Sequence, residues 1–153
     1  MKRILTLILS AIILSATSLH ADDRVFTKLP SGPNVEKVYI GKTLLKAAGR
    51  INNNLGNQFG LTISDNARLE SLETVSAVGS SDVQSAYTIM KSFINDEHLE
   101  TLLTKEEGYS WTAIYGKMNE DSNSAKILVV CNYDVNEIQI VIMRGNLTVS
   151  NIR

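Results

Sequence analysis

Apolar residues recur with two different periods along this chain of 153 residues, and each period predicts one kind of element. From Lys42 onward they return every three to four residues, which is the spacing of one helix face. The residues on this face are Leu44, Ala48, Ile51 and Leu55. The pattern predicts a first helix, which directly follows a predicted strand over residues 35–40 that ends at Gly41.

The same spacing predicts a second helix over residues 82–104. Ser81 and Gln84 stand three residues apart, as in a capping box that opens a helix. The apolar positions that follow are Val83, Tyr87, Met90 and Ile94, and then Leu99, Leu102 and Leu103. Asn95 and Asp96 lie between the two groups, so the helix is predicted either in one piece or in two.

The last third of the chain changes to a period of two, which predicts strands. Apolar and polar side chains alternate over residues 110–118, and strands are also predicted over residues 126–133 and 137–143, with residues 147–152 as an additional edge piece. Short polar turns separate these runs. Residues 69–78 alternate less regularly and are predicted as a further strand. The predicted element order is β-α-β-α-β-β-β.

Two helices with apolar stripes need a shared surface to bury against. We therefore predict an α+β fold in which both helices pack on one face of a mostly antiparallel sheet, as a two-layer sandwich. Residues 127–131 are apolar on both faces of their strand, so this strand is predicted to lie mid-sheet with its other face also partly covered. The connectivity is similar to that of ferredoxin-like folds, and a fold of this kind does not fix a function.

The first 21 residues have the regions of a secretory signal peptide. Lys2 and Arg3 supply positive charge, an uncharged and mostly apolar run follows over residues 4–14, and small residues lead to Ala21. The run is about half as long as the roughly 20 residues that a membrane-spanning helix needs. We expect cleavage near Ala21 and a single mature domain over residues 22–153, which is periplasmic or secreted.

Three segments carry a resemblance to a known family. They are the early apolar stretch with Phe26, the strand over residues 35–40 running into Gly41, Lys42, Thr43, Leu44 and Leu45, and the closing hairpin that ends in Met143, Arg144, Gly145, Asn146 and Leu147. In these segments the chain resembles a family of small exported domains of unknown function from Gram-negative bacteria of the Bacteroidetes group. The resemblance implies export and this architecture, and it implies no catalytic residue.

Removal of the signal peptide makes the domain mildly acidic. The chain has 15 basic and 16 acidic residues, and loss of Lys2 and Arg3 leaves a net charge of about −3. Charges of both signs are interspersed, whereas binding to nucleic acid requires a concentrated basic surface. We therefore expect no nucleic-acid partner, and no membrane span after the first 21 residues.

The mature chain offers few residues for catalysis or metal binding. Cys131, the one cysteine, lies within an apolar run and is predicted to be a core residue. His98 is the one histidine after residue 21, and a usual zinc site needs more ligands of this kind. Residues 41–43 resemble the end of a phosphate-binding loop, but Glu36 stands where its first glycine belongs. We predict no cofactor, no metal and no catalytic set.

The leading hypothesis is an exported non-enzymatic domain that binds another protein or an envelope component, through an exposed sheet edge. Tyr109, Trp111 and Tyr115 form a candidate recognition surface, because aromatic residues with polar tips are common at such surfaces. The alternative is that Trp111 and Tyr115 simply fill the core.

Two other hypotheses about function stay open. One is a small-ligand carrier in which the polar segment 52–66 closes as a lid. The other is a hydrolase that uses His98 as a general base with the nearby carboxylates Glu97 and Glu100. Neighbours one and two positions apart on a helix do not face each other, which weakens this second alternative.

The predicted cleavage site can be checked by N-terminal sequencing. We expect protein recovered from the periplasmic or secreted fraction to begin at Asp22, because cleavage after Ala21 removes the whole apolar segment. A chain that still begins at Met1 in that fraction would contradict the prediction.

Overall fold

The structure, a computed structural model, describes residues 24–47, 62–63, 68–120 and 123–150. These residues form a 3-10 helix (Val25–Lys28), two α-helices and seven strands. The α-helices are α1 (Lys42–Ala47) and α2 (Ser80–Asp96). The strands are β1 (Val35–Gly41), β2 (Thr62–Ile63), β3 (Arg68–Val78), β4 (Glu100–Glu107), β5 (Ser110–Met118), β6 (Ser124–Asp134) and β7 (Glu137–Ser150).

Six of the strands follow one another across an antiparallel sheet in the order β1-β3-β7-β6-β5-β4, and the short β2 pairs with β7. Strands β4 to β7 form a meander, and β7 also pairs along most of its length with β3. β7 therefore joins the β1-β3 pair to the rest of the sheet. This arrangement confirms the predicted α+β class and the mostly antiparallel sheet.

One face of the sheet, the α2 face, packs against α2 and the 3-10 helix. Side chains alternate between the two faces along a strand, and the α2 face receives Ile138, Ile140 and Ile142 of β7. The covering residues are Val83, Ala86, Met90 and Ile94 of α2 and Phe26 of the 3-10 helix, all of them buried. Full burial of a side chain of this size contributes about 1.5–3 kcal/mol, so this face is a major part of the core.

The opposite face, the α1 face, buries a second apolar cluster that includes Val141 and Met143 of β7. Leu44 and Leu45 of α1 pack against this cluster. The prediction that both helices pack on one face is therefore wrong, because α1 and α2 contact opposite faces. The physical reason lies in β6 and β7, whose side chains are apolar on both faces, so that each face needs a cover.

Helix α2 is shorter than the helix predicted over residues 82–104. It begins at Ser80, after Gly79, whose φ of 95° is a conformation that glycine adopts readily. No side-chain hydrogen bond caps this end, so the predicted capping box at Ser81 is wrong. The helix ends at Asp96, and His98, with a φ of 54°, lies in the turn before β4.

Strand β4 replaces the second half of that predicted helix and adds an edge strand to the predicted order. Its pairing with β5 is irregular between Thr101 and Leu103, and the two adjacent leucines, Leu102 and Leu103, both pack against the α1-face cluster. Leu99 belongs to the α2-face cluster instead. A turn followed by a β-bulge thus gives leucines the spacing that is typical of a helix.

Several predictions concern residues outside the described ranges. These are the signal peptide over residues 1–21, the helix positions Ala48, Ile51 and Leu55, and the segment 52–66 apart from β2. Within the described part of the chain, no helix is both long enough and apolar enough to cross a membrane.

Gly116 of β5 lies at a close contact between neighbouring strands. A Cβ atom at this position would lie 2.6 Å from Cδ1 of Leu102 and 3.1 Å from Cδ2 of Leu128. We expect Gly116→Ala to lower the free energy of unfolding by about 1–3 kcal/mol, because the side chains of Leu102 and the buried Leu128 must move to admit the methyl group. Urea unfolding measures this.

Gly32 provides the matched control. A Cβ atom there meets nothing within 4 Å, so Gly32→Ala should leave the free energy of unfolding nearly unchanged. Equal effects of the two substitutions would contradict the close contact at Gly116.

Candidate functional site

Two β-hairpins end at the same side of the sheet. The turn at Gly108 and Tyr109 joins β4 to β5, and the turn at Val135 and Asn136 joins β6 to β7. Because Trp111 of β5 lies directly opposite Tyr133 of β6, both turns project beyond this pair of residues. We call the group formed by Tyr87, Tyr109, Trp111, Tyr133 and Val135 the hairpin-end surface.

The two hairpin turns hold large apolar side chains in solvent. Gly108 has a φ of 64°, which suits the first position of a two-residue turn, and Tyr109 follows it with 87% of its surface exposed. In the other turn the backbone N–H of Val135 donates to Oδ1 of Asp134 at 2.7 Å. Val135 is 62% exposed. Among the described residues, Tyr109 and Val135 are the large apolar side chains that remain exposed.

Three half-buried aromatic rings lie just inside these turns. The rings of Trp111 and Tyr133 are stacked, with their centroids 5.4 Å apart and their planes at 12°. Tyr87 of α2 meets both rings edge to face, at 6.1 Å from Trp111 and 6.5 Å from Tyr133. Aromatic pairs of this kind contribute about 0.5–1.5 kcal/mol each beyond their buried area. The stack therefore fixes the hairpins to α2.

The structure separates the three aromatic residues that the sequence grouped together. Tyr109 and Trp111 belong to the hairpin-end surface, whereas Tyr115 lies four residues further along β5 and packs against the α2-face cluster. Burial raises the pKa of Tyr115, and the neighbouring Cys131 and Tyr87 raise it further. Tyr115 is thus a half-buried packing residue of the core.

The sequence pattern does not single out Tyr87, Tyr133 or Val135 as members of this surface. Tyr87 lies on the apolar face of its helix, as predicted, and Tyr133 is the last residue of the strand predicted over residues 126–133. The pairing of Trp111 with Tyr133 depends on the register of β5 against β6. An irregularity between Lys117 and Met118 shifts that register, so counting residues back from the turn does not find the pair.

Cys131 and His98, the other residues that the sequence offered for chemistry, lie in different surroundings. Cys131 is buried, and its burial raises the pKa of the thiol to about 12, so the thiol keeps its proton at neutral pH. His98 is exposed, and the carboxylate of Glu97 pairs with Nζ of Lys117 at 3.4 Å instead of with the imidazole. No group of three or more His, Cys, Asp or Glu residues in the described ranges could hold a metal ion.

A buried carboxylate and a lysine hold the 3-10 helix against the sheet. The carboxylate of Glu73, 6% exposed, accepts the backbone N–H groups of Val25 at 2.8 Å and Phe26 at 2.9 Å. Lys37 Nζ donates to the carbonyl oxygens of Phe26 at 3.3 Å and Leu29 at 2.6 Å. The carboxylate of Glu73 thus satisfies the N–H groups at the start of the helix. The ammonium group of Lys37 satisfies carbonyl groups toward its end. We call this arrangement the Glu73–Lys37 clamp.

A cleft of about 310 Å³ lies beside the clamp. Its polar wall includes Glu73 and Lys37, which are already bonded to backbone groups, and the guanidinium of Arg24, which lies 4.6 Å from the ring centroid of Tyr39. These groups hold the chain segment at residues 24–29 in place. The cleft is therefore part of the packing of that segment, and the hairpin-end surface is the stronger candidate for recognition.

A family model described as a domain of unknown function (DUF4252) matches residues 30–153. The chain belongs to this family. The match confirms the resemblance to a family of domains of unknown function, and it includes both the hairpin-end surface and the two clamp residues, Lys37 and Glu73. No curated protein and no solved structure matches the chain significantly.

Substitution of Glu73 tests the clamp within this DUF4252 domain. Glu73→Gln replaces one acceptor by a donor opposite a backbone N–H, and a buried group left unsatisfied costs about 1–3 kcal/mol. We expect the free energy of unfolding to fall by this amount and the amides of Val25 and Phe26 to exchange faster. Urea unfolding and amide hydrogen exchange measure the two effects.

Glu70→Gln is the matched control on the same strand. Glu70 is exposed and pairs with Lys42 at 3.1 Å, and an exposed ion pair contributes at most about 1 kcal/mol. Its substitution should leave the exchange of Val25 and Phe26 unchanged. A similar response in both variants would show that the clamp does not hold the 3-10 helix.

Proposed function

We propose that this protein is an exported, non-enzymatic domain that binds another protein or an envelope component through the hairpin-end surface. The observation that carries the proposal is the placement of Tyr109 and Val135. These two exposed apolar side chains stand on neighbouring turns, directly beyond the stacked pair Trp111 and Tyr133. Exposed apolar side chains gathered beside aromatic rings are typical of protein recognition surfaces.

The stack makes this surface rigid as well as apolar. Trp111 and Tyr133 contact each other and Tyr87, so their rings lose little additional freedom when a partner binds. Preorganised aromatic side chains supply contact area at a low cost in conformational entropy. A partner is therefore expected to gain most of its binding energy from these rings and from the two turns.

The hairpin end is a better binding surface than the sheet edge at β4, one of the two edges that could fit the sequence-based hypothesis. β4 lies at one end of the sheet, and pairing with a further strand would use its outer side. However, its residues are charged at four of eight positions, Glu100, Lys105, Glu106 and Glu107, and its ladder carries a bulge. Charges and bulges are the features by which proteins prevent pairing at an edge.

Export is the second part of the proposal. It rests on Lys2 and Arg3, on the uncharged run over residues 4–14, and on the small residues before Ala21. A periplasmic or secreted location would bring the hairpin-end surface into contact with envelope proteins. A partner is therefore expected in envelope extract.

The double substitution Tyr109→Ser and Val135→Ser tests the binding surface. Both side chains are exposed, so stability should stay within about 0.5 kcal/mol of the parent. Recognition residues at such a surface contribute about 2 kcal/mol or more, so capture of the partner from envelope extract should fall at least about tenfold. Quantitative pull-down against the unsubstituted protein measures this.

Glu120→Ser and His98→Ala are the controls. Glu120 is exposed in the turn between β5 and β6, at the opposite end of the sheet, and His98 is the residue of the hydrolase hypothesis. Both variants should capture the partner as the parent does. Unchanged capture by the double variant would overturn the proposed surface, and loss of a measured hydrolytic activity in His98→Ala would favour an enzyme.

A further inference from the structure

Trp111 is half-buried, and one face of its ring is covered by Tyr133. It stands in a row of directly paired residues that runs from Glu106 of β4 through Trp111 to Tyr133 of β6. Its centroid distance to Tyr133, 5.4 Å at an interplanar angle of 12°, is close to the spacing of about 4.8 Å between neighbouring strands. The two rings therefore stack along this row, and the register places Glu106 on the side of Trp111 opposite to Tyr133.

Glu106 is an exposed carboxylate that no basic residue neutralises within the described ranges. Its neighbours on the strand, Lys105 and Glu107, form an ion pair with each other. Because side chains alternate along a strand, this pair lies on the α1 face, away from Trp111. The exposed Glu106 thus lies on the α2 face, in the strand next to Trp111 and on the side of it that Tyr133 does not cover.

From this geometry we infer that Trp111 and Glu106 form a subsite for a cationic side chain of a partner protein, with arginine preferred over lysine. The face of an indole ring carries negative potential and attracts cations. A guanidinium can stack on the ring and bond to the carboxylate at the same time, because it is planar and presents several donors. An anion is repelled by Glu106, and an apolar group would remove water from that carboxylate without replacing its hydrogen bonds.

This inference rests on the proposed function, since it names the chemistry of one part of the hairpin-end surface. Tyr109 and Val135 supply the apolar contact at the turns, and the Trp111–Glu106 subsite adds selection by charge. We therefore expect a partner of this domain to have an arginine at the rim of its interface, opposite Trp111 and Glu106.

The single tryptophan of the chain makes the test direct. The indole N–H gives one signal in a nitrogen–proton correlation spectrum, and it can be followed during titration with N-acetyl-arginine methylamide. The neutral isostere, N-acetyl-citrulline methylamide, is the matched probe. We expect the arginine probe to shift the indole N–H signal of Trp111 in a saturable way, and the citrulline probe to shift it clearly less. A matching lysine probe should give a shift of intermediate size.

Two variants separate the subsite from a general attraction of cations. Glu106→Gln should lower the affinity for the arginine probe about two- to fivefold, as expected for the loss of one exposed ion pair. Glu107→Gln, which removes a carboxylate on the opposite face, should leave the titration unchanged. Equal responses to arginine and citrulline, or no effect of Glu106→Gln, would overturn the inference.

The two proposals fail in different experiments. If the arginine probe does not bind while the Tyr109 and Val135 variant still loses capture of the partner, the subsite is wrong and the binding surface stands. If the probe binds as expected while that variant keeps full capture, the cation subsite stands and the partner binds the protein elsewhere.

Discussion

The structure depends on two central strands that are apolar on both of their faces. β6 and β7 place mainly isoleucine side chains on the α2 face and leucine, valine and methionine side chains on the α1 face, so neither face tolerates water. This requirement places α2 and the 3-10 helix on one face and α1 on the other. It also explains the Glu73–Lys37 clamp, because a 3-10 helix of four residues has too few internal hydrogen bonds to stay in place by itself. Its polar ends are satisfied by two side chains from the sheet it covers.

The strands of the meander were predictable because their signals are local. Alternation over residues 110–118 coincides with β5, and polar residues mark the turns on either side of β6. Gly145 and Asn146 indicate a break, yet β7 continues through them, paired with Leu69 and Arg68 of β3, although the ladders to β3 and β6 are both irregular at this point. The packing of the helices was less predictable. Which face a helix covers is decided by the connection and by the whole sheet, neither of which appears in the periodicity of the helix itself.

β4 shows most clearly where the sequence misleads. Leu99, Leu102 and Leu103 have helical spacing, and the structure produces the same spacing from a turn and a bulge. Two of the five residues of the hairpin-end surface also depend on contacts that are distant in the chain. Tyr109 and Trp111 were recognisable as aromatic residues near a strand end, whereas Tyr133 joins them through strand register and Tyr87 through the packing of α2. Register and packing are long-range properties, and they bring together residues that lie more than 40 positions apart in the chain.

The position of β7 in the chain has a consequence for the order in which this domain can fold. β7 is the last of the seven described strands to be synthesised, yet it is the strand that joins β3 to β6. Until it emerges, the β1-β3 pair and the β4-β5-β6 meander have no shared ladder, and the apolar faces of both stay open. Such long-range pairing slows folding. A chain with this topology therefore cannot complete its sheet until the last of the described strands has been made.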